Sequence, residues 1–354
     1  MFTEKEQQQY NRHLILNEIG AEGQEKLKSA KVLMIGAGGL GCPILQYLAA
    51  AGVGTIGIID HDRIDVSNLQ RQVLYNHEDV GKYKAEVAAK KLAVLNPFIQ
   101  FETYTERLTT LNAVKLFESY DIVVDGTDNF PTRYLINDAA VLAQKPVVFG
   151  SIYKFEGQVS VFNYKGGPTY RCVFPTPPKA GEVPNCSQIG VLGILPGIIG
   201  SFQANEVIKM ICNIGTPLSG KLLTYNTLSM QQMILNVTKD ESLNITQLEE
   251  DYALECEVPS AYQFISLKDF KASEKEFQVL DVRSEQEREV YHIGGQHIPF
   301  VELDWRLDEI PKDGAILIYC NQGVTSQQAI MLLQKHEFKN QFYSLEGGLE
   351  QYQD

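Results

Sequence analysis

The sequence predicts an α/β protein built from a larger parallel sheet covered by helices and a smaller α/β unit that follows it. From Lys31 onward, apolar runs of strand length alternate with stretches of helical spacing. Such alternation with short connections is typical of parallel sheets. An acidic, poorly periodic segment at residues 238–258 interrupts the pattern, which then resumes. We therefore expect one unit over residues 1–250, a linker over 251–261 and a second unit over 262–354.

The individual elements follow from the same patterns. In the first unit the expected strands are Lys31–Ile35, Thr55–Ile59, Asp121–Asp125, Pro146–Gly150, Gly157–Tyr164 and Lys221–Thr227. The expected helices there are Leu40–Ala51, Lys82–Leu95, Pro131–Ala143 and Ile198–Cys212. In the second unit we expect strands at Phe277–Val282, Ala315–Cys320 and Gln341–Leu345 and a helix at Thr325–His336.

Composition excludes several classes of protein. The chain has 354 residues, which indicates two or three domains, and its net charge is −13. A strongly acidic chain lacks the basic face that nucleic-acid binding needs, so we expect no nucleic-acid partner. The polar start has no apolar core of a secretory signal, and the most apolar stretch, residues 189–202, is too short to cross a bilayer. Six scattered cysteines fit reduced thiols, so we expect a cytoplasmic protein without a membrane partner.

A glycine-rich loop, Gly36-Ala37-Gly38-Gly39-Leu40-Gly41, lies between the first expected strand and the first expected helix. Glycines there let the backbone approach a phosphate, and the helix N-terminus offers N–H groups and partial positive charge. Asp60 ends the second strand, where a carboxylate can accept hydrogen bonds from ribose hydroxyls. The pattern predicts nucleotide binding, most often of NAD or FAD. A glycine turn required only for packing is the alternative.

Residues after the second and fourth expected strands favour adenylate transfer over hydride transfer. Attack on an α-phosphate requires neutralisation of the triphosphate and stabilisation of the leaving pyrophosphate. Arg71 and Lys84 are suitable cations, and Asp128 offers the hard oxygen ligands that magnesium prefers. A dinucleotide oxidoreductase has no need of this set, although a single Arg or Lys is more often a solvated surface charge.

Together these motifs resemble the ThiF/MoeB adenylyltransferases, the bacterial relatives of ubiquitin-activating enzymes. The resemblance covers about residues 10–227 and rests on Tyr10-Asn11-Arg12-His13, the glycine loop, Asn68-Leu69-Gln70-Arg71-Gln72, Lys84 and Asp128-Asn129. It implies a Rossmann-like domain that binds ATP and magnesium, and a homodimer in which Arg12 reaches the partner subunit's phosphate site. The ATP contacts that it implies are Gly39, Asp60, Ser67, Asn68, Leu69, Gln70, Arg71, Lys84, Asp128 and Asn129.

Cysteine placement suggests one candidate thiol in the first unit. Cys186 lies in a polar loop, Pro184-Asn185-Cys186-Ser187-Gln188, before an apolar helix. In the resembled family a cysteine at this place can capture the activated carrier or accept sulfur, and an inert loop cysteine is the alternative. Cys42 and Cys212 lie in apolar helical stretches, so we expect buried thiols that act as small hydrophobes.

Many members of that family hold a structural zinc with two Cys-x-x-Cys pairs, which this chain lacks. Cys172 alone stands at the first pair, in Thr169-Tyr170-Arg171-Cys172, and Cys256 alone at the second. Two thiolates cannot close a tetrahedral site without further ligands, and none stands at ligand spacing beside them. We therefore expect no zinc, and a greater reliance on packing in this region.

The second unit resembles rhodanese domains over about residues 262–352. The resemblance rests on Leu280-Asp281-Val282-Arg283-Ser284, on His292 to Pro299, on Tyr319-Cys320-Asn321-Gln322-Gly323-Val324-Thr325-Ser326, and on Gly347-Gly348. Cys320, at a strand end before a helix, is placed for backbone N–H groups to face its sulfur and stabilise a persulfide.

Two features depart from the rhodanese pattern. Thr325 replaces the usual arginine of the loop, and the tryptophan after Gly-Gly is absent. A rhodanese fold retained only for docking is therefore the alternative. We expect His292 and His297 to be structural rather than acid–base residues.

Together the two resemblances imply an ATP-dependent adenylyltransferase that activates the C-terminal glycine carboxylate of a small ubiquitin-like sulfur carrier of the MoaD/ThiS type. Arg12, Arg71, Lys84 and Asp128 are the expected catalytic residues of the first unit, with Cys186 a candidate acceptor. Cys320 would carry persulfide sulfur from a donor such as a cysteine desulfurase, in molybdopterin or thiamine biosynthesis. The alternatives are adenylation of another substrate such as a modified tRNA base, a nucleotide-binding oxidoreductase, and a non-catalytic scaffold.

Overall fold

The computed structural model describes residues 2–178, 190–250, 252, 262–336, 338–349 and 352. The chain divides into two compact units, Met1–Cys256 and Glu257–Asp354. Cys186 and Cys256 lie outside the described residues. No helix in the described ranges combines the length and apolar composition needed to span a bilayer.

A mixed sheet of eight described strands forms the centre of the first unit, in the order β3-β2-β1-β4-β5-β6-β7-β8. Its strands are β1 (Lys31–Ile35), β2 (Thr55–Ile59), β3 (Gln100–Tyr104), β4 (Ile122–Asp125), β5 (Val147–Tyr153), β6 (Glu156–Phe162), β7 (Lys221–Asn226) and β8 (Gln232–Asn236). The five neighbouring strands β3, β2, β1, β4 and β5 are parallel to one another. β6, β7 and β8 each pair antiparallel with the strand before them in the sheet. The parallel half matches the α/β class that the sequence predicts.

Helices pack on both faces of this sheet. They are α1 (Glu4–Leu14), α2 (Gly20–Ser29), α3 (Gly41–Ala51), α4 (Lys84–Leu95), α5 (Ala113–Glu118), α6 (Phe130–Leu142) and α7 (Leu195–Cys212). One apolar core includes side chains of α3, α4 and α7, and a second includes those of α5 and α6. Both faces of β1, β2 and β4 are therefore buried, which explains why their sequences are continuous apolar runs.

The strand order reverses between β1 and β4. From β1 the chain proceeds to β2 and β3 on one side and later returns to β4 and β5 on the other. The registers align the strand ends, because Ile35 pairs with both Ile59 and Asp125. The loops after β1, β2 and β4 thus begin at one level, and such a reversal point is where open α/β sheets bind ligands.

The second unit is a five-stranded sheet in the order β11-β10-β12-β13-β9, with every pair parallel. Its strands are β9 (Tyr262–Ile265), β10 (Phe277–Asp281), β11 (Gln296–His297), β12 (Ala315–Tyr319) and β13 (Gln341–Leu345). Its helices are α8 (Leu267–Ala272), α9 (Glu285–Val290) and α10 (Val324–Lys335). The central strand β12 is almost entirely buried and carries Cys320 directly after its last residue.

Several elements escape prediction because their sequences carry no strong pattern. The edge strands β3 and β8 leave most side chains exposed, so they lack the apolar runs of the central strands. α1 and α2 precede the first apolar run and were not expected either. Tyr252 is buried in the α5–α6 core, so packing onto the first unit continues past residue 250.

A network of charged and polar groups holds together the region around Asp138 and Cys172. Arg171 Nε and Nη2 donate to the two carboxylate oxygens of Asp138 at 2.7 Å each, and Nη2 also contacts Glu249 at 2.5 Å. The Tyr252 hydroxyl donates to Asp138 at 2.7 Å. Cys172 Sγ accepts from the Asp240 N–H at 3.4 Å. This network fastens the short helix Tyr170–Cys172 to α6 and to the segment ending at Tyr252.

We predict that Arg171→Met destabilises the first unit by about 3–5 kcal/mol, because it leaves the buried carboxylate of Asp138 without its cation. Urea unfolding followed by circular dichroism measures the change. Lys26→Met is the control, since it removes only an exposed pair with Glu22 and should barely alter stability. Equal stability of wild type and Arg171→Met would show that the network does not hold this region.

Candidate active site

The loop between β1 and α3 is shaped by glycines that admit no side chain. Gly36 adopts a φ of +85°, and a Cβ there would lie 3.0 Å from the Gly126 carbonyl oxygen. A Cβ at Gly41 would collide with the Gly36 carbonyl oxygen. The loop after β1 and the loop after β4 therefore touch, and the N-terminus of α3 opens beside them. This arrangement suits an anionic phosphate.

Asp60 joins this loop to the end of β2. Its carboxylate accepts the Ala37 N–H at 2.7 Å and the Asp62 N–H at 2.8 Å. Burial raises the pKa of Asp60, and the charge of nearby Lys84 opposes that rise. A carboxylate has about four acceptor positions, so lone pairs remain for a ribose hydroxyl.

Lys84 begins α4, and its side chain is buried at the same edge of the sheet. Its ammonium donates to Asp62 at 2.8 Å. Burial raises the pKa of Asp62, but the hydrogen bond and charge of Lys84 outweigh it and leave a net lowering. Asp62 is a functional candidate that the sequence analysis missed. The available signal was its position two residues beyond Asp60 in the loop after β2.

Arg71 reaches the glycine loop from the segment that follows β2. This segment contains a short 3₁₀ helix, Val66–Asn68, capped reciprocally by Asp65 and Asn68. Arg71 Nη1 donates to the Ser67 carbonyl at 3.0 Å, and its Cγ lies 3.6 Å from the position a Cβ would take on Gly39. Arg71 forms no ion pair with a described residue, so its charge is available to a ligand.

Asp128 and Asn129 follow β4, and both are exposed. The Asn129 Oδ1 caps α6 by accepting the Thr132 N–H at 3.0 Å. One amide oxygen position is therefore used in the cap, while the amide N–H groups remain for a ligand. Since the Gly36 and Gly126 backbones touch, Asp128 stands on the turn beside the glycine loop.

The structure thus brings the glycine loop, Asp60, Arg71, Lys84 and Asp128 to one edge of the sheet. The carboxylates can accept from a ribose or bind a cation, and the two cations can neutralise phosphate charge. Two other sequence candidates are not among these residues. Arg12 is exposed on α1 and has no side-chain contact with these residues in the described ranges, and Cys186 lies outside those ranges.

Asp60, His61 and Asp62 form the group of candidate metal ligands found among the described residues. The Asp60 oxygens already accept backbone N–H groups, and Asp62 already pairs with Lys84. Because Lys84 already neutralises Asp62 and backbone N–H groups use part of the acceptor capacity of Asp60, we assign no metal to this group. Cys42 and Cys212 are buried as expected, and burial raises the pKa of the Cys42 thiol to about 12.

Cys320 is the centre of a second candidate site, in the second unit. Its Sγ is buried and accepts the Ser326 N–H at 3.3 Å at the start of α10. The Ser326 hydroxyl also contacts Ser344 Oγ at 2.9 Å, which fixes the wall behind the sulfur. A Cβ on Gly348 would collide with the Asn321 carbonyl, so the Gly-Gly pair packs directly against the cysteine loop.

A cavity of about 440 Å³ opens beside this loop. It is lined by Val282, Arg283, Ser284, Glu287, Pro299, Phe300, Val301, Asn321, Gln322 and Thr325. Arg283 is committed to Asp281 through two hydrogen bonds of 2.9 and 2.8 Å. Glu287 accepts from Asn321 at 2.8 Å, and hydrogen bonds from Ser284 lower the pKa of Glu287. The lining therefore offers little net positive charge to an anion.

The two histidines that we expected to be structural make local contacts. His297 Nε2 lies 2.8 Å from the Arg283 carbonyl oxygen, and His292 Nδ1 accepts the Gly294 N–H at 3.0 Å. Neither histidine lines the cavity beside Cys320. These contacts agree with a structural role.

Comparison with known proteins identifies both units. Residues 10–245 match the model of the ThiF family, and residues 266–354 match that of the rhodanese-like domain. The chain is 44% identical to the probable adenylyltransferase/sulfurtransferase MoeZ of Mycobacterium tuberculosis, over 98% of this chain and 93% of that protein. It is 53% identical to the sulfur carrier protein adenylyltransferase of Thermus thermophilus, over 68% of this chain and 90% of that protein.

A eukaryotic relative and a solved structure extend the comparison. Adenylyltransferase and sulfurtransferase MOCS3 of Sus scrofa is 38% identical, over 92% of this chain and 80% of that protein. The crystal structure of Escherichia coli MccB with ATP is similar at a TM-score of 0.59 and 25% identity, over 67% of this chain and 73% of that chain. The α/β fold class and the expected enzyme class, an adenylyltransferase with a sulfurtransferase-type domain, are thereby confirmed. The chain belongs to the ThiF family and carries a rhodanese-like domain at its C-terminal side.

Proposed function

We propose that the first unit uses ATP to adenylylate the C-terminal glycine carboxylate of a small ubiquitin-like sulfur-carrier protein. The observation that carries the proposal is that two cationic side chains, one buried carboxylate and one exposed carboxylate lie around one glycine loop. Arg71 and Lys84 supply positive charge, Asp60 is buried beside the loop, and Asp128 is exposed. Relatives named as sulfur-carrier adenylyltransferases support this choice of substrate.

In this proposal the adenosine ribose hydrogen-bonds to Asp60, and the triphosphate lies along the glycine loop at the start of α3. The nucleotide also contacts the segment that follows β2, as the family resemblance implies, through Ser67, Asn68, Leu69 and Gln70. Arg71 and Lys84 neutralise the β- and γ-phosphates, where charge develops as pyrophosphate leaves. For Lys84 to do so, its ammonium must share its contact with Asp62.

Magnesium fits the residues present, because Asp128 is an exposed carboxylate with no hydrogen bond to a described residue in a turn beside the phosphate loop. When bound, the ion would neutralise phosphate oxygens and polarise the leaving pyrophosphate. Asp128 would hold it, and the Asn129 amide would help to orient the phosphates.

The reaction forms one bond and breaks another. A terminal carboxylate oxygen of the carrier attacks the α-phosphorus of ATP, and the bond from this phosphorus to the bridging oxygen breaks. Pyrophosphate leaves with the electron pair, and the carrier retains an acyl-adenylate. Arg12 of a second copy would complete the phosphate site in a homodimer, which agrees with its exposure on α1.

The rhodanese-like unit supplies sulfur in the second stage. A persulfide on Cys320, loaded by a partner such as a cysteine desulfurase, attacks the acyl-adenylate carbonyl and expels AMP. The resulting acyl disulfide is cleaved by a second thiol, either Cys186 or an external thiol. This step releases the carrier thiocarboxylate and leaves Cys320 in a disulfide with the attacking thiol, which a cellular dithiol must reduce. We place the enzyme in the cytoplasm, in molybdopterin or thiamine biosynthesis.

We predict that Arg71→Ala or Lys84→Ala lowers carrier-dependent ATP–pyrophosphate exchange by about 100-fold, because each removes charge that stabilises the leaving group. Lys90→Ala, an exposed change on the same α4 helix, should leave exchange at the wild-type rate. Near-normal exchange in both site variants would remove these cations from the mechanism.

We also predict that Cys320→Ser separates the two stages. Carrier adenylylation should survive, because Cys320 belongs to the other compact unit. Carrier thiocarboxylation from a persulfide donor should collapse, because serine cannot carry the sulfur. Thiocarboxylation at the wild-type rate in this variant would show that the second unit serves only for docking and that sulfur arrives by another route.

A further inference from the structure

The turn that presents Asp128 is anchored by buried polar groups that the proposed chemistry does not use. Asp125, the last residue of β4, accepts both the N–H of Thr127 at 2.9 Å and its hydroxyl at 2.7 Å. Arg133, one turn into α6, donates from Nη2 to the Thr127 carbonyl at 3.1 Å. Thr127 is thus held on both its donor and acceptor sides, directly before Asp128.

The backbone on the other side of the turn is fixed as well. The Gln203 amide of α7 donates to the Asp125 carbonyl at 2.7 Å, and the Gly126 N–H donates to the Ile35 carbonyl at 2.9 Å. Asp125 and Thr127 are buried, whereas Asp128 is exposed. The turn therefore has a rigid base and an exposed carboxylate at its tip.

Burial of the Arg133 guanidinium at this position lowers the stability of the fold. Its guanidinium lies 5.4 Å from the Phe130 ring centre and 5.7 Å from that of Phe149. Its Nε–H has no hydrogen-bond partner among the described residues. An unsatisfied buried donor typically costs about 1–3 kcal/mol of stability, and the charge of Arg133 partly offsets this cost because it acts on the buried carboxylate of Asp125. Violations of this kind are expected where function, not stability, requires the residue.

We propose that Arg133 and Asp125 are positioning residues that fix the Thr127–Asp128 peptide so that the Asp128 carboxylate faces the magnesium–ATP complex. The inference rests on the proposed function, because it gives Asp128 its ligand. Arg133 touches neither nucleotide nor metal in this account and acts through Thr127. Groups that orient a metal-binding carboxylate typically change metal affinity by about 10- to 100-fold when altered.

The test measures ATP binding by titration calorimetry on the full-length protein, once with excess Mg²⁺ and once with EDTA. The ratio of the two affinities reports how strongly Mg²⁺ and ATP are coupled. Arg133→Lys keeps the charge but loses the planar fork that reaches Thr127, and Thr127→Val removes the hydroxyl bond to Asp125. Each should reduce the coupling ratio about 10-fold and leave the affinity in EDTA little changed.

Arg171→Lys is the matched control, since it changes another, partly buried arginine that contacts α6, at Asp138, and lies outside the ATP site. It should lower the melting temperature and leave the coupling ratio unchanged. If Arg133→Lys and Thr127→Val behave like this control, Arg133 is merely structural and the inference is wrong. If Arg133→Lys does not fold, the coupling ratio of Thr127→Val alone tests the inference.

A double-mutant cycle with Asp128→Asn distinguishes this inference from the proposed function. If Arg133 acts through Asp128, Arg133→Lys should have no further effect on the coupling ratio in the Asp128→Asn background. Additive losses would overturn the positioning role. An unchanged coupling ratio in Asp128→Asn alone would instead refute the proposed magnesium ligand, and with it the function assigned to Asp128.

Discussion

The contact between the backbones of Gly36 and Gly126 is the constraint on which the site depends. It is possible because β1 and β4 are adjacent and their ends are in register at Ile35 and Asp125. Any side chain at Gly36 would crowd the Gly126 carbonyl and separate the phosphate loop from the Asp128 turn. This one approach places a phosphate-binding backbone and a candidate metal ligand side by side, while β2 delivers Asp60 to the same level.

Buried carboxylates fix loops and turns at several places in the first unit. Asp60 binds the N–H groups of two loops, Asp125 binds both donors of Thr127, and Asp138 binds Arg171 and Tyr252. Asp60 and Asp138 join residues that are distant in the chain, whereas Asp125 fixes the turn that directly follows it. The Asp138 network holds the segment around Cys172, so hydrogen-bonded ion pairs fasten a region whose sequence lacks the Cys-x-x-Cys pairs of a zinc site.

Sequence reasoning succeeded where burial imposes a pattern. β1 and β2 were predicted with their observed bounds because both faces of each strand are covered. The position of Cys320 could be predicted because the apolar run of β12 ends directly before it. Three side chains could not be predicted as part of either site, because their roles depend on contacts that no local periodicity records. They are Asp62 with Lys84, Arg133 with Thr127, and Glu287 with Asn321. β3 and β8 escaped because edge strands need no apolar face.

The central claim is that ATP-dependent activation and sulfur transfer converge on the carboxylate of a carrier protein. Mass spectrometry of purified candidate carriers, after incubation with the enzyme, magnesium, ATP and a persulfide donor, tests it most directly. We expect a carrier whose mass shows one sulfur in place of one oxygen, only when ATP is present. ATP cleavage to AMP and pyrophosphate with every ubiquitin-like carrier left unmodified would contradict it, and would direct attention to another adenylylated substrate.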